Sequence, residues 1–359
     1  GVAIPGFAWK IVVAVPVGPG AAATRITAAT RVIALKIPNI AGIRGQPWQN
    51  YLVSPAQLEA ETGLAFFTDL SAPVRAALRD VIDGRSSAGA AERLANLSAR
   101  TTAGAGAQAA IAGFVIGGTE PKPVLVRAIG PGLSAFGIGA PLAAPRAELF
   151  RAGAAAPLAA NTGWADAPAL AQAAALAGAF PLAAGSADSA LLATLAPGDY
   201  TAVATPADGR AGVGLVEIYD LAAAASGSRL ANLSTRAGVS AGDATLICGV
   251  VVSGGTPKRV LVRAAGPALA AFGVAGVLAR PQLTLLAGNL PVAVNAGWAA
   301  SPDAAVLADA ARSAGAFAFA AGSADAALIA HLAPGPYTAQ VTGVDGATGI
   351  ALLEIYELP

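Results

Sequence analysis

Few residues in this sequence could carry out acid–base, nucleophilic or metal chemistry. His331 is the only histidine and Cys248 the only cysteine among the 359 residues. Catalysis of the Ser-His-Asp type and HExxH zinc binding both need histidine at a fixed place, and cysteine zinc sites need several thiols. Cys248 lies in the apolar run 246–252, which favours a buried thiol. The sequence therefore predicts no catalytic residue and no metal ligand in this chain.

Two arginines lie inside otherwise apolar runs. Arg127 lies in the run 124–129 and Arg263 in the run 260–265. A charge so close to a core is tolerated only when it is paired and hydrogen-bonded. We therefore expect structural ion pairs with acids of the same half of the chain. The candidate partners are Asp188 or Glu217 for Arg127, and Asp325 or Glu354 for Arg263.

Two tryptophans follow turn sequences and allow two interpretations. Trp164 follows Asn161-Thr162-Gly163, and Trp298 follows Asn295-Ala296-Gly297. An exposed aromatic ring beside a turn could form a surface on which a sugar stacks. The alternative is a turn followed by an aromatic residue of the core, which is the more common use of tryptophan. We keep surface binding by these two residues as an expectation to be tested.

The chain contains a long internal repeat. Residues 93–98, Arg-Leu-Ala-Asn-Leu-Ser, recur at 229–234, an offset of 229 − 93 = 136 residues. The ends also correspond, since Glu-Ile-Tyr occurs at 217–219 and at 354–356. So long a period indicates duplicated domains rather than a solenoid. The repeat predicts three units: an N-terminal segment (1–85), repeat 1 (93–221) and repeat 2 (229–358).

The repeats are expected to be antiparallel β-sandwiches with one short helix each. Their short apolar runs are bounded by Gly, Pro, Asp and Asn, a pattern typical of strands and turns. In repeat 2, Ser301 could cap the helix, and Gly315 could end it in the left-handed conformation. Small-residue linkers at 86–91 and 222–228 favour a modest interface between the repeats and a variable orientation. The predicted fold class is mainly β.

The N-terminal segment is expected to mix strands and helices. Residues 9–15 and 31–37 have the composition of strands. A helix should follow Ser54, because Ser54-Pro55-Ala56-Gln57 has the Ser-x-x-Gln pattern of a capping box and Gly63 can end the helix. Ser71 could begin a second helix. The segment thus has the character of a truncated α+β unit.

Composition narrows the classes of protein further. The chain is 55% hydrophobic and 12% charged, with a net charge of +1 and a mean hydropathy of +0.62. Much of that apolar content is alanine, and no uninterrupted, strongly apolar run reaches the ~18 residues of a membrane span. We therefore expect no membrane-spanning helix. No basic stripe with interleaved aromatics and no glycine-rich phosphate loop occurs.

The N-terminal segment contains several motifs in a fixed order over about residues 5–80: Trp9-Lys10, Ile33-Ala34-Leu35, Pro38-Asn39, Tyr51-Leu52-Val53-Ser54, and Leu58-Glu59 to Phe66-Phe67. This order of motifs resembles the C-terminal part of the DNA/RNA non-specific endonuclease family. The resemblance implies a parent enzyme that hydrolyses DNA or RNA with magnesium. The family's Asp-Arg-Gly-His motif and metal-binding asparagine lie upstream of the matched region and are not in this sequence. We therefore carry over no catalytic residue and expect this chain, which begins at Gly1 and resembles a fragment, to be inactive alone.

The repeats are similar to tandem β-domains near the C-termini of large exported bacterial proteins. This resemblance implies attachment, spacing or recognition of a glycan or another cell-surface ligand, and a secreted or cell-surface location in a bacterium. Three functions remain open: the C-terminal part of an exported nuclease, a non-enzymatic binding or anchoring protein, and a structural spacer. No cofactor is expected in this chain.

Overall fold

The structure is a computed structural model that describes residues 7–15, 18, 20–38, 51–82, 85–86, 92–104, 109–222, 227–240, 245–254 and 257–358. Most of both linkers, at 87–91 and 223–226, lies outside the described residues. None of the described helices is long and apolar enough to cross a membrane. The chain divides into two compact units, one formed by residues 1–92 with 254–256, and one by 93–253 with 257–359.

The N-terminal unit combines a small antiparallel sheet with two helices. Strands β1 (Phe7–Ala14), β2 (Arg31–Pro38) and β3 (Leu52–Val53) pair in that order, and β4 (Val81–Ile82) pairs with β5 (Arg85–Ser86). Helices α1 (Pro55–Thr62) and α2 (Ala72–Arg79) lie between β3 and β4. The predicted capping box is confirmed: Gln57 N–H donates to Ser54 Oγ at 3.2 Å and Ser54 N–H to Gln57 Oε1 at 2.8 Å. Gly63 ends α1 with φ of 71°.

Both repeats are built almost entirely from antiparallel strands, which confirms the predicted mainly β fold. Repeat 1 contains β6 (Arg93–Ala103), β7 (Ala110–Gly118), β8 (Lys122–Ile129), β9 (Pro145–Arg151), β10 (Ala159–Thr162), α3 (Pro168–Ala177), β11 (Ser189–Leu195), β12 (Gly198–Pro206) and β13 (Gly212–Asp220). Repeat 2 contains β14 (Ser228–Val239), β15 (Leu246–Ser253), β16 (Lys258–Ala265), β17 (Pro281–Ala287), β18 (Leu290–Asn295), α4 (Ala304–Ser313), β19 (Ala326–Leu332), β20 (Gly335–Gly343) and β21 (Gly349–Glu357).

The helix of repeat 2 begins three residues after the predicted cap. Residues 298–300 form a short 3-10 turn, and Ser301 Oγ accepts a hydrogen bond from Asp303 N–H at 3.2 Å. Ser301 therefore shapes the turn before α4 instead of capping it directly. Gly315 follows the helix with φ of 72°, as its predicted role in the helix end requires.

The strands of the two repeats are interleaved. In one array the order is β11-β8-β13-β6-β15-β20-β17-β18, and in the other it is β19-β16-β21-β14-β7-β12-β9-β10. The first strand of each repeat, β6 or β14, thus joins its own four-stranded half-sheet to a half-sheet of the other repeat. The predicted modest interface with variable orientation is wrong. Pairing across the repeats satisfies strand edges that would otherwise stay open.

The largest apolar cluster among the described residues contains members of both repeats. Strand β7 alternates buried and half-buried residues, and its buried set contains Ala112, Phe114 and Ile116. These residues belong to one apolar cluster with members from both repeats, such as Cys248 and Leu353. Interleaved strands and a shared core make the repeats one compact body.

Glycine permits close approach where the repeats meet. Gly113 lies directly opposite Ser234 between β7 and β14, and Gly249 lies opposite Ser98 between β15 and β6. A Cβ atom at position 113 would lie 2.6 Å from Ser234 Oγ, and one at position 249 would lie 2.4 Å from Ser98 Oγ. The same Gly–Ser pair therefore recurs at both junctions between the repeats.

Candidate functional site

Each repeat holds a buried arginine–glutamate pair on adjacent strands. The register places Arg127 of β8 opposite Glu217 of β13, and Arg263 of β16 opposite Glu354 of β21. Arg127 Nε lies 2.9 Å from Glu217 Oε2, and Arg263 Nη1 lies 3.4 Å from Glu354 Oε2. These contacts are ion pairs, because the atoms are not aligned for a hydrogen bond. All four side chains are buried. Of the candidate partners for each arginine, the structure thus selects the glutamate.

Aromatic residues complete the surroundings of each pair. Tyr219 Oη donates to Glu217 Oε1 at 2.8 Å, as Tyr356 does to Glu354 at 2.7 Å. Arg127 also donates from Nη1 to the Phe180 carbonyl at 2.6 Å, and the Phe180 ring centre lies 4.2 Å from its guanidinium carbon. The tyrosine two residues after each glutamate thus belongs to the same hydrogen-bond network.

Burial dominates the electrostatics of both glutamates. It raises the pKa of Glu217 and of Glu354 above the usual value, although the paired arginine and the tyrosine hydroxyl act in the opposite direction. Burial likewise raises the pKa of Tyr219 and of Tyr356, and the neighbouring glutamate adds to the rise. A buried carboxylate that is paired in this way links adjacent strands and is not accessible to a substrate.

The two aspartates that follow Gly-Ser-Ala organise loops. Asp188 accepts hydrogen bonds from Gly130 N–H at 2.8 Å and from Gly132 N–H, as well as from Ser186 Oγ. Asp325 does the same in repeat 2, with Gly266 N–H at 2.7 Å and Ala268 N–H at 3.2 Å. These contacts fix the turn that follows the arginine-bearing strand. The carboxylate oxygens are occupied by protein donors, which is unlike a calcium site.

The tryptophans lie against the helices. Trp164 is 8% exposed and donates from Nε1 to the Ala183 carbonyl at 3.3 Å. Trp298 is half-buried and donates to Ser323 Oγ at 3.0 Å. Trp164 is therefore a largely buried ring that packs against α3 and its following loop, and not an aromatic platform at the protein surface.

A cavity lies beside the tryptophan and the arginine in both repeats. The cavity in repeat 1 has a volume of about 300 Å³ and that in repeat 2 about 150 Å³. Each is closed on one side by the helix and on the other by the arginine-bearing strand. Eleven residues line each cavity, at corresponding sequence positions. Sequence reasoning missed this repeated cavity, which could accept a ligand.

The isolated histidine and cysteine take no part in a site. His331 lies on β19 opposite Arg259 and is exposed, while Thr194 occupies the corresponding place in repeat 1. Cys248 is fully buried in β15, and burial raises the pKa of its thiol. Within the described ranges, no group of three or more His, Cys, Asp or Glu side chains is arranged to hold a metal ion.

Glu59 anchors the helices of the N-terminal unit. It accepts a hydrogen bond from Phe66 N–H at 2.7 Å and pairs with Arg75 and Arg79 of α2. Burial would raise its pKa, but these three donors together hold the pKa below the usual value. Glu59 belongs to the Leu58-Glu59 motif of the family resemblance, and here it supports the packing of α1 with α2.

Comparison with known proteins gives one partial match that bears on function. No family model matches the chain. A curated protein from Nostoc sp. strain PCC 7120, named Nuclease, is 38% identical over 82 residues. The match covers 23% of this chain and 29% of the Nostoc protein, so the chain spans less than a third of that relative.

Proposed function

We propose that this chain is part of an exported bacterial DNA/RNA non-specific endonuclease, which cleaves phosphodiester bonds with the help of magnesium. In this proposal, residues of about 5–80 form the closing part of the nuclease fold. The observation that carries it is the 82-residue similarity to a nuclease, a length close to that of the N-terminal segment. The motifs from Trp9 to Phe67 and the anchoring of α2 by Glu59 add support.

The described residues of the N-terminal unit contain no group of three or more acidic, histidine or cysteine side chains arranged to hold a metal ion. Glu59 is occupied by Arg75, Arg79 and a backbone N–H, and Glu61 pairs with Lys36 at 2.6 Å. Mg²⁺ needs carboxylates that are free to face it together with water and phosphate. We therefore assign no step of hydrolysis to this unit and place the base and the magnesium ligands of the parent enzyme in other residues.

A segment exchange tests the nuclease assignment directly. The 82-residue stretch of the Nostoc protein would be replaced by the matching stretch of this chain, and cleavage of plasmid DNA measured with Mg²⁺. We expect the chimera to retain cutting activity, because the exchanged part supports the fold without supplying catalytic groups. A chimera that folds, by circular dichroism and melting temperature, and yet does not cut DNA would contradict the proposal.

The purified chain by itself is expected to leave DNA and RNA intact with either magnesium or manganese. Hydrolysis needs a base that activates water beside a metal-bound phosphate, and the only histidine belongs to repeat 2. A plasmid-nicking assay measures this, with His331→Ala as the control for contaminating nuclease. Cutting by the purified chain that disappears in His331→Ala would show that the active site has been misplaced.

A further inference from the structure

We infer that the cavity of repeat 1 binds a small planar aromatic molecule of one or two fused rings, stacked against Arg127 and Trp164. The inference does not depend on the nuclease proposal. It starts from the close correspondence of the two cavities. Each is lined by a leucine and an arginine of one strand, a tryptophan, a helix of small residues and the loop after that helix.

The two linings differ at three of their eleven positions. Both contain Leu, Arg, Trp, Leu, Ala, Ala, Ala and Ala at corresponding places. The differences are Ala175, Pro181 and Leu182 in repeat 1 against Arg312, Ala318 and Phe319 in repeat 2. The first and third of these differences place a larger side chain in the cavity of repeat 2, and the third adds an aromatic ring.

The Phe319 ring lies in the cavity of repeat 2 in the way that a bound aromatic ligand would lie. Its ring centre lies 3.9 Å from the guanidinium carbon of Arg263 and 6.1 Å from the Trp298 ring. A guanidinium over an aromatic face is a favourable arrangement, and it is stronger when water is excluded. Repeat 2 therefore shows that this site, formed by an arginine, a tryptophan and a helix, accepts an aromatic ring.

Repeat 1 retains the same arginine and tryptophan but lacks the second ring. Leu182 replaces Phe319, and the cavity is twice as large, about 300 Å³ against about 150 Å³. The Phe180 ring centre lies 4.2 Å from the Arg127 guanidinium carbon and the Tyr219 ring centre 5.8 Å from it, but neither residue lines the cavity. Arg127 Nη2 is buried and has no hydrogen-bond partner among the described residues. The cavity side of this guanidinium thus lacks the aromatic contact that Arg263 has.

The size of the cavity sets the class of ligand. An apolar protein cavity of about 150 Å³ is known to accept benzene, so the cavity of repeat 1 has room for a one-ring or two-ring aromatic molecule. The charge of Arg127 is already balanced by Glu217, which favours a neutral ligand over an anion. Alanines on α3 let a flat molecule approach the helix closely.

Fluorine NMR with 1-fluoronaphthalene tests the inference on the full chain. We expect saturable binding at one site, displacement by naphthalene, and little displacement by decalin, which has two rings but no π face. Leu182→Phe, which installs the repeat 2 residue, should weaken binding by on the order of tenfold or more. Leu158→Phe is the matched control, because Leu158 is exposed and does not line the cavity, and this variant should leave the affinity unchanged.

The reciprocal variant keeps the test decisive if Leu182→Phe folds poorly. Phe319→Leu should open the cavity of repeat 2 and add a second binding site to the full chain. Three results would overturn the inference: no saturable binding of the probe, equal affinity in a folded Leu182→Phe variant, or displacement by decalin as strong as by naphthalene. The last would show that the cavity selects apolar volume alone.

Discussion

At the scale of single residues, the buried ion pairs are the costliest features of the repeats. Arg127 and Glu217 lie opposite each other on β8 and β13 with both side chains buried. A buried pair adds little net stability when intact, but removing one partner leaves an uncompensated charge. Repeat 2 has the equivalent pair, Arg263 with Glu354, so the effect of a substitution in one repeat can be compared with the same substitution in the other.

Removing Arg127 should destabilise the protein strongly. We expect Arg127→Met to lower the free energy of unfolding by about 3 to 5 kcal/mol, because it leaves the Glu217 carboxylate buried without its partner. Urea denaturation followed by circular dichroism measures the change. Arg312→Met is the control, since it breaks an exposed pair with Asp309 and should cost less than ~1 kcal/mol. Similar losses in the two variants would contradict the account.

The raised pKa of Glu217 makes stability depend on pH. At pH values between the unfolded-state pKa of 4.5 and the higher pKa of the folded state, the native protein keeps a proton on Glu217 that the unfolded chain has released. The contribution of Glu217 to stability is therefore complete below pH 4.5 and is lost as pH rises through the folded pKa. Relative to Glu217→Gln, wild type should lose stability from pH 4 to 8 in denaturation series. The raised pKa of Glu217 is contradicted if the difference in unfolding free energy between wild type and Glu217→Gln stays constant, or grows in favour of wild type, as the pH rises.

At the scale of elements, the turn after each arginine-bearing strand depends on a glycine. Gly130 follows β8 and donates its N–H to Asp188, and a Cβ atom there would lie 2.0 Å from the Leu142 carbonyl oxygen. Gly266 has the same contact with the Leu278 carbonyl. A backbone atom cannot move aside as the end of a side chain can, so any side chain at this position strains the turn.

Gly130→Ala should therefore lower the free energy of unfolding. Overpacking against backbone typically costs about 1 to 3 kcal/mol, and we expect a loss at the upper end of that range. Thermal unfolding compared with Gly139→Ala provides the check, because a Cβ at position 139 meets nothing within 4 Å. Equal melting temperatures for the two variants would show that the turn can adjust.

Some of the site follows from sequence because its residues lie on strands with a repeated pattern. Arg127 and Glu217 stand out as charges in apolar runs, and their recurrence at 263 and 354 predicts a common structural role. The cavity could not be predicted in this way. Its residues come from a strand, a turn, a helix and a loop, and only packing brings Trp164 and Leu182 beside Arg127.

The buried lysine pairs were also missed. Lys122 lies 2.8 Å from Asp220, and Lys258 contacts Glu357, both at the ends of adjacent strands. The sequence does point to these pairs, because two of the four lysines of the chain, Lys122 and Lys258, occupy equivalent positions just before the apolar runs. Their partners, Asp220 and Glu357, differ in type but each directly follows a Glu-Ile-Tyr sequence, and the strand register shows that lysine and acid lie side by side.

At the scale of the whole molecule, the two repeats form one body. The repeat in sequence shows that both copies contain the same strands but does not say which copy a strand pairs with. Pairing within one copy and pairing between copies satisfy the same apolar alternation. The structure selects pairing between copies, through β6 with β15 and β14 with β7. The cavities therefore lie on a fixed framework, one in each repeat.

A disulfide across the junction tests this interleaving most directly. A Cβ atom at position 113 would lie 4.0 Å from Ser234 Cβ, within the range that a disulfide requires. In a Cys248→Ala background, Gly113→Cys with Ser234→Cys should form a bond between the repeats on mild oxidation, detected by mass spectrometry of the linked peptides. Gly117→Cys with Ser234→Cys is the control, because position 117 lies about 13 Å further along β7. Interleaved strands predict efficient cross-linking of the first pair only, and free thiols at 113 and 234 in the folded protein would contradict them.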